Sequence, residues 1–592
     1  MLHAAYAHHQ AGRSAEAEGL CRLILKSQAD HSDALHLLGV IELQRGNAPR
    51  AAELIGRAIQ SDPAEVRYHS SLGATLVALG RPDAAVTALR HAIKIAPNSA
   101  DAHYNLGCVL KEQGRFDEAA ARFRRSLEIR PAFAEALNNL GRASQSQGKL
   151  TEAMAAYREA LAAKPDFVAA HSNLLLCMGY DPACTPAKAY AESRLWNDRH
   201  AAPRAAHQQP HANDRDPARP LRVGYVSPDF RRHSVGYFIE PLLAAHDRRE
   251  VDVVCYAEVA KPDERTACLQ ALADDWRSTV GMSDAKVAER IREDRIDILV
   301  DLAGHTRGNR LLAFAEKPAP VQVTWLGFGG TTGMTAIDHL LTDSILAPED
   351  EAGHGFTETL VRLPRGFLCY APDADAPEPN DLPAASNGFV TFGSLNLLAK
   401  LRPGVLDIWT RILREVPGSR LLLKSRELRT RHLGAGFLNQ FDVRGIEPDR
   451  IDLMGHIPSR EDHLAAYSRA DIALDPFPYN GGTTTCESLW MGVPVLTLKG
   501  DRFAGRMGAS ILSSVGLPEL VAESEEEYVE KAVGLAGDLD RLSALRRDLR
   551  RRMSASPLCD APAFARKVEA AYREMWRRWC SGEQQAPSAC EG

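Results

Sequence analysis

A period of 34 residues runs through the first third of the chain and constrains it more than any other feature. Glycines recur at that spacing (Gly12, Gly46, Gly80, Gly114 and Gly148), as do prolines (Pro63, Pro97, Pro131 and Pro165) and Leu-Gly pairs ending at Gly39, Gly73, Gly107 and Gly141. Each unit reads as helix, turn, helix: AHYNLGCVLKEQG carries one apolar stripe at helical spacing and FDEAAARFRRSLEIRP a second, with glycine at the break and proline after the second helix. Such a pair cannot bury its apolar faces alone, so the units must stack into an α solenoid.

This unit resembles the tetratricopeptide repeat, and the Gly of each Leu-Gly pair is expected where neighbouring helices approach closely. Asn105, Asn139 and Asn173 recur two residues before the Leu-Gly glycine position, while Leu37 and Ser71 stand there in earlier units. An amide donates and accepts at once, so a short ladder of this kind on a concave face would hold the backbone of an extended peptide whatever its side chains. Ordinary polar helix positions are the alternative reading. The pattern fails after Pro165, with Leu175 and Pro182 out of register, and a closing helical segment is expected to take the array, residues 1–202, to its end.

At 592 residues the chain exceeds what one hydrophobic core fills, so about three domains are expected. With 45% hydrophobic and 25% charged residues and a formal net charge of −6, the composition argues against a general nucleic-acid or anionic-membrane binder. Eleven cysteines form no CxxC pair and no cluster with histidine at ligand spacing, which speaks against a disulfide framework or a structural zinc site. No stretch reaches the roughly 18 apolar residues of a membrane span, and the N-terminus lacks the order of an export signal. A cytoplasmic protein is expected, with no membrane partner; its oligomeric state is not legible.

Residues 203–220, PRAAHQQPHANDRDPARP, read as a linker, and the nearby His200, His207 and His211 as solvated side chains rather than metal ligands. From Leu221 short β-branched runs (LRVGYVS, VDVVCYA, IDILVDL, PVQVTWLG) alternate with amphipathic segments, the mark of an α/β lobe with a largely parallel sheet, residues 221–385. After the spacer APDADAPEPNDLPAASNG a second series (FVTFGS, SRLLLK, RIDLM, ADIALD, VPVLTL) defines a second lobe, residues 386–580 with a terminal helix, followed by a flexible tail, 581–592. The Asp373-Ala374-Asp375 triplet has the form of a metal-binding DxD but lies in the spacer, and no metal is expected.

In open α/β sheets ligands bind beyond the carboxyl ends of strands, so the loops after these runs carry the information. The strongest is ADIALDPFPYNGGTTTCESLWMGVPVLTL: Asn480, Gly481 and Gly482 allow close backbone approach, and Thr483, Thr484 and Thr485 bring hydroxyls and amides to a helix N-terminus suited to a diphosphate. Glu487 is placed to accept from a ribose diol. A helix merely capped by Thr, with Glu near its third position, is the alternative. In GSLNLLAKLRP, Asn396 and Lys400 open the loop after the first strand of the second lobe, and Lys400 suits the charge growing on a departing diphosphate. Arg460 and His463 precede the strand that leads to the Thr loop, where a base would be gripped. In the first lobe His233 follows the first strand, His305 the third, and LGFGGTTG, with Gly327 and Gly330, forms a second glycine/threonine loop lining a cleft.

The repeats together with VGYVSPDFRRHS, WLGFGGTTG, LLAKLRP, PFPYNGGTTTCESLWMGVPV and FARKVEAAYREMWRRW resemble the O-GlcNAc transferase family over nearly the whole chain to about Trp579. The resemblance implies a metal-independent, inverting transferase of the glycosyltransferase-B fold, two Rossmann-like lobes, using UDP-GlcNAc as donor and needing no cofactor. It further implies that Lys400, Thr483 and Thr484 contact the diphosphate, Glu487 the ribose and Arg460 with His463 the uracil, with His233 on the acceptor side. Protein or peptide acceptors would bind along the repeats and the cleft. The sequence departs from the animal enzymes at Gly482 (His there), Leu397 (an amide), Glu487 (Asp) and Phe328-Gly329 (Tyr-Pro), and their large insert between lobes is reduced to the short spacer. Rival readings are a related transferase moving fucose from GDP-fucose to Ser/Thr or hexose to Asn, a nucleotide-sugar epimerase, and a non-catalytic scaffold sensing a nucleotide sugar.

Overall fold

The structure, a computed structural model, describes residues 1–349, 355–429 and 431–582; the last residues of the expected tail lie outside it. The chain divides into two compact units, Met1–Pro165 and Asp166 onward.

The first unit is five helix pairs, from Leu2–Gln10 with Ser14–Ser27 to Ala134–Ser146 with Leu150–Ala163. Gly12, Gly46, Gly80, Gly114 and Gly148 take left-handed backbone at the turn within each pair, with φ between 69° and 84°, a conformation that L side chains rarely adopt. The Leu-Gly glycines serve differently. A Cβ on Gly39, Gly73, Gly107 or Gly141 would lie 2.6–2.7 Å from the side chain of Ile55, Leu89, Phe123 or Tyr157, so glycine lets the second helix of each pair press its large residue onto the first.

The second unit corrects the expected boundary at residue 202. Helices Val168–Tyr180 and Pro186–Trp196 belong with the α/β lobes rather than with the repeats, and Leu175, Trp196 and Ala201 share a core with strand residues Val254 and Leu299. The linker is exposed but strapped down: Arg219 makes a two-pronged ion pair with buried Asp297, and Asn213 donates to the same carboxylate at 2.8 Å. His200, expected to be solvated, is buried against His171.

The first lobe holds a seven-stranded parallel sheet of β1 (Leu221–Ser227), β2 (Val251–Ala257), β3 (Asp275–Ser278), β4 (Ile298–Asp301), β5 (Val321–Thr324), β6 (His339–Thr342) and β7 (Thr359–Arg362) in the order 3-2-1-4-5-6-7. The second holds six parallel strands, β8 (Thr391–Ser394), β9 (Arg420–Lys424), β10 (Ile451–Met454), β11 (Ile472–Leu474), β12 (Val495–Leu498) and β13 (Val521–Ala522), in the order 10-9-8-11-12-13. β3, β6 and β7 escaped the sequence reading because they carry few β-branched apolar residues, and β13 because it is two residues long. Central strands such as β1 and β4 are buried on both faces, which is why they read as continuous apolar runs.

The terminal helix, Ala561–Ser581, departs from expectation by crossing back to the first lobe. Phe564 stacks on Trp325 at 5.9 Å, the Tyr572 hydroxyl meets that of Tyr225 at 3.4 Å, and Glu569 bonds to His246 at 2.9 Å.

Candidate active site

Each sheet has one topological switch, β1 beside β4 in the first and β8 beside β11 in the second, where loops diverge from neighbouring strands and leave a crevice. The residues singled out in the sequence follow these four strands: His233 after β1, His305 after β4 (the fourth strand, not the third), Asn396 and Lys400 after β8, and Asn480 to Thr485 after β11.

The β11 loop is shaped by Asp475, whose buried carboxylate accepts from the Gly481 amide at 2.6 Å and the Thr497 hydroxyl at 2.7 Å. A Cβ on Gly481 would stand 2.4 Å from Thr484 Oγ1 and 3.0 Å from Asp475 Oδ1, so this tether requires glycine. Gly482, not a threonine, is the N-cap of helix Thr483–Trp490 and supplies no side-chain cap, which removes the reading of a merely capped helix. The first backbone bond of the helix runs from Cys486 N to Gly482 O, so the amides of Thr483, Thr484 and Thr485 have no intrahelical acceptor. Thr483 Oγ1 is buried with no hydrogen-bond partner among the described residues, Thr484 Oγ1 donates to Asn396 Oδ1 at 3.2 Å, and Thr485 is buried beneath the loop.

Lys400 ends a single turn, Leu398–Lys400, directly after β8 and is 9% exposed. Its Nζ donates to the Asn480 carbonyl at 2.7 Å and to Asn396 Oδ1 at 3.3 Å, and lies 4.9 Å from the centre of the Tyr479 ring. Burial lowers its pKa to about 8, with Asp475 opposing. Asp475 is pushed up by burial to about 7, against the Gly481 amide and the Lys400 charge. An ammonium with one proton unspent, three free amides and an orphan hydroxyl thus converge where the helix dipole favours an anion.

One turn along the same helix stands Glu487, and here the structure changes the expected roles. Its Oε1 accepts from Arg460 Nη1 at 2.6 Å, and its Oε2 from His463 Nε2 at 3.1 Å and the Tyr467 hydroxyl at 2.8 Å. Burial alone would raise this carboxyl, but the His463 hydrogen bond and the Arg460 charge hold it at about 2. Arg460 and His463 are therefore tied to Glu487 rather than free to grip a base, and Glu487 has little acceptor capacity left for a ribose. Lys424, which the sequence reading missed, donates to His463 Nδ1 at 3.1 Å and so fixes the proton of that ring on Nε2. Its signal was its place as the last residue of β9, at a carboxyl end.

Arg460 also pairs with Asp373 at 2.7 Å and lies 4.6 Å over the Tyr237 ring, where Arg265 lies at 4.2 Å. One DxD carboxylate is thus neutralised by a guanidinium, and Arg460 bridges the second lobe to the first. Among the described residues no group of three or more His, Cys, Asp or Glu is arranged to hold a metal ion.

On the first-lobe side His233 caps helix Ser234–Ala245, and Tyr237, one turn further on, is the ring beneath Arg460, so this helix borders the crevice. The His233 side chain is 41% exposed; its Nδ1 accepts from the Val235 amide at 3.4 Å and stands 3.5 Å from Asp229 Oδ2. Burial of its surroundings lowers its pKa, Asp229 opposing. His305 does not line the cleft. It is fully buried, donates from Nε2 to the Thr332 carbonyl at 2.8 Å, and meets the Ser172 hydroxyl, itself accepting from Trp196 Nε1 at 3.1 Å. Burial lowers its pKa to about 3. Gly327 is structural as well, since a Cβ would sit 2.1 Å from the Leu302 carbonyl, whereas at Gly330 a Cβ would meet only the Phe328 ring, at an ordinary 3.7 Å. The glycine loop meets the second lobe at Gly329, where a Cβ would lie 2.9 Å from that of Ala504, and buried Glu358 secures its far end through Thr331 and Thr332.

Of the amides expected to hold a peptide, Asn139 is already engaged: its Oδ1 accepts from Lys111 and its Nδ2 donates to the Tyr104 hydroxyl at 3.1 Å. Asn105 is half-buried, and Asn173 lies in the second unit, on helix Val168–Tyr180.

Two all-parallel α/β lobes facing each other across a crevice, crossed by a returning C-terminal helix, define the glycosyltransferase-B fold class. The profile of glycosyl transferase family 41 matches residues 196–372 and 381–568, and the chain belongs to that family. Tetratricopeptide-repeat profiles match residues 66–132 and 104–166. A probable UDP-N-acetylglucosamine–peptide N-acetylglucosaminyltransferase, SPINDLY, of Solanum lycopersicum is 47% identical over 415 residues, 69% of this chain and 44% of that protein. The Arabidopsis thaliana protein SEC, of the same description, is 35% identical over 62% of this chain and 38% of its own length. The chain thus spans less than half the length of these relatives. A solved structure of a mutant of Thermobaculum terrenum O-GlcNAc transferase superposes with a TM-score of 0.82 at 38% identity, covering 88% of this chain and 99% of that one.

Proposed function

We propose that the chain transfers N-acetylglucosamine from UDP-GlcNAc to Ser and Thr hydroxyls of proteins, with inversion at the anomeric carbon. The observation that carries this is the convergence of Lys400 with the free amides of Thr483, Thr484 and Thr485 at the second switch point, a site built for a leaving diphosphate. The acceptor oxygen attacks the anomeric carbon, the bond to the diphosphate breaks on the opposite face, and the developing charge meets the Lys400 ammonium and the helix amides. One well-placed donor of this kind is worth about 3 to 4 kcal/mol of transition-state stabilisation. His233, neutral near pH 7 because its pKa is lowered, positions the acceptor hydroxyl or takes its proton. The relatives' names support the donor, and the repeats support protein acceptors.

The test is single-turnover transfer of labelled sugar from UDP-GlcNAc, UDP-glucose and GDP-fucose to a protein extract, with wild type beside Lys400→Ala. Labelling of Ser/Thr from UDP-GlcNAc alone, abolished by the substitution, is the expected result. Labelling from GDP-fucose, or on Asn, overturns the assignment of donor or acceptor, and binding without consumption of any donor makes the chain a sensor.

A further inference from the structure

Lys400 raises a physical question: what holds a buried lysine in one rotamer when no carboxylate pairs with it among the described residues? Its two acceptors, the Asn480 carbonyl and Asn396 Oδ1, fix two of three ammonium protons. On another side stands the Tyr479 ring, its centre 4.9 Å from Nζ and its negative face turned to the ammonium. Tyr479 belongs to the loop between β11 and helix Thr483–Trp490, with little regular structure of its own to hold it. Its support comes from elsewhere in the chain. Tyr180, at the end of helix Val168–Tyr180, packs its ring against Tyr479 with centroids 4.7 Å apart and planes tilted by 35°. The end of that helix is pinned a second time, where Arg502 of the second lobe donates to the Asp181 carbonyl at 3.0 Å.

We infer that Tyr479 is a positioning residue for Lys400 and that Tyr180 holds Tyr479 in that role. The inference rests on the reading of Lys400 as the group that meets the departing diphosphate. With two protons on oxygen acceptors and the ring beside the ammonium, the third N–H is left a single direction, toward the helix amides. The aromatic face also favours the charged lysine, since its quadrupole attracts a cation without the competing proton acceptor that a carboxylate would be. The helix that follows the last repeat directly in the chain thereby becomes part of the architecture of the leaving-group subsite.

The experiment measures kcat and donor KM across pH for the full chain, using whichever nucleotide sugar is turned over. It compares wild type, Tyr479→Phe, Tyr479→Leu, Tyr180→Ala and, as reference, Lys400→Met. Tyr479→Phe keeps the ring and is expected within about twofold of wild type. Tyr479→Leu keeps the site dry but removes the quadrupole. It is expected to lower kcat about tenfold and to bring the alkaline limb of the profile down by roughly half a unit to one and a half units. Tyr180→Ala is expected to shift kcat and the limb in the same direction by less. A loss in Tyr479→Leu that is equal at every pH, or equal to that of Tyr479→Phe, is the mark of a merely structural ring and overturns the inference. If Tyr479→Leu does not fold, Tyr479→Met, also apolar and of similar length, replaces it under the same criteria. The reading of Lys400 fails separately, through an active Lys400→Met.

Discussion

If a nucleoside diphosphate settles against Lys400, the protein must take up a proton from alkaline solution. Burial holds the free ammonium at a pKa of about 8, and a diphosphate in contact with it supplies the counter-charge it lacks, returning it toward the ordinary lysine value or beyond. At about pH 9 the free side chain is then roughly one-tenth protonated and the bound one nearly fully so, an uptake of about 0.9 proton per nucleotide; at about pH 7 the same group contributes only about 0.1. Asp475, at about 7, is the other titrating group beside the loop, and an anion would raise it too. Its uptake centres near neutrality and fades by pH 9, so the alkaline signal belongs to Lys400. The assay is calorimetric titration of UDP in buffers of different ionisation enthalpy at both pH values, with Lys400→Met as control. An uptake near zero at about pH 9, or one that survives the substitution, refutes the placement of the diphosphate against this lysine.

Two further outcomes follow from the packing. Gly107→Ala or Gly141→Ala drives a Cβ to 2.6 Å from Phe123 or Tyr157 and should destabilise the repeat unit by about 1 to 2 kcal/mol, overpacking outweighing better helix propensity. Gly56→Ala, in helix Ala48–Ser61 with nothing within 4 Å, should stabilise it by roughly 0.5 to 1 kcal/mol; calorimetric Tm of the full chain separates the two signs. Burial lowers His305 to about 3 and His200 to about 4, so both stay neutral in the fold while the unfolded chain takes up protons below its value near 6.5. Their contribution is fully present above that value and lost as pH falls toward 4, at about 1.4 kcal/mol per pH unit for each ring, and His305→Gln should flatten the acid slope of lobe stability by one such increment.

The repeat array and both parallel sheets were legible because their signals are local and repeated: glycine at a fixed period, apolar runs at strand length. The loops proposed to meet the diphosphate were legible as loops for the same reason, since Lys400, Asn396 and the Thr loop each follow a strand within a few residues. What sequence could not disclose is pairing across distance. Glu487, Arg460 and His463 are each a plausible ligand for a nucleoside read singly, yet the fold spends them largely on one another, with Lys424 joining from β9. His305 shows the same limit, because nothing in DLAGHTRGNR records that Trp196 and Phe328 enclose it. The boundary near residue 202 was misplaced because helix Val168–Tyr180 looks like another repeat helix while its partners lie in the lobes.

The returning helix Ala561–Ser581 has a consequence for how the chain is made. It is the last described helix to leave the ribosome, yet Phe564, Tyr572 and Trp576 fill places beside Trp325, Tyr225 and the strap around Arg219, all of them synthesised far earlier. At ordinary elongation rates the second lobe separates these events by something on the order of ten to forty seconds, during which the apolar surface of the first lobe that this helix will cover remains open to water and to other nascent chains. The lobe that is translated first is closed last.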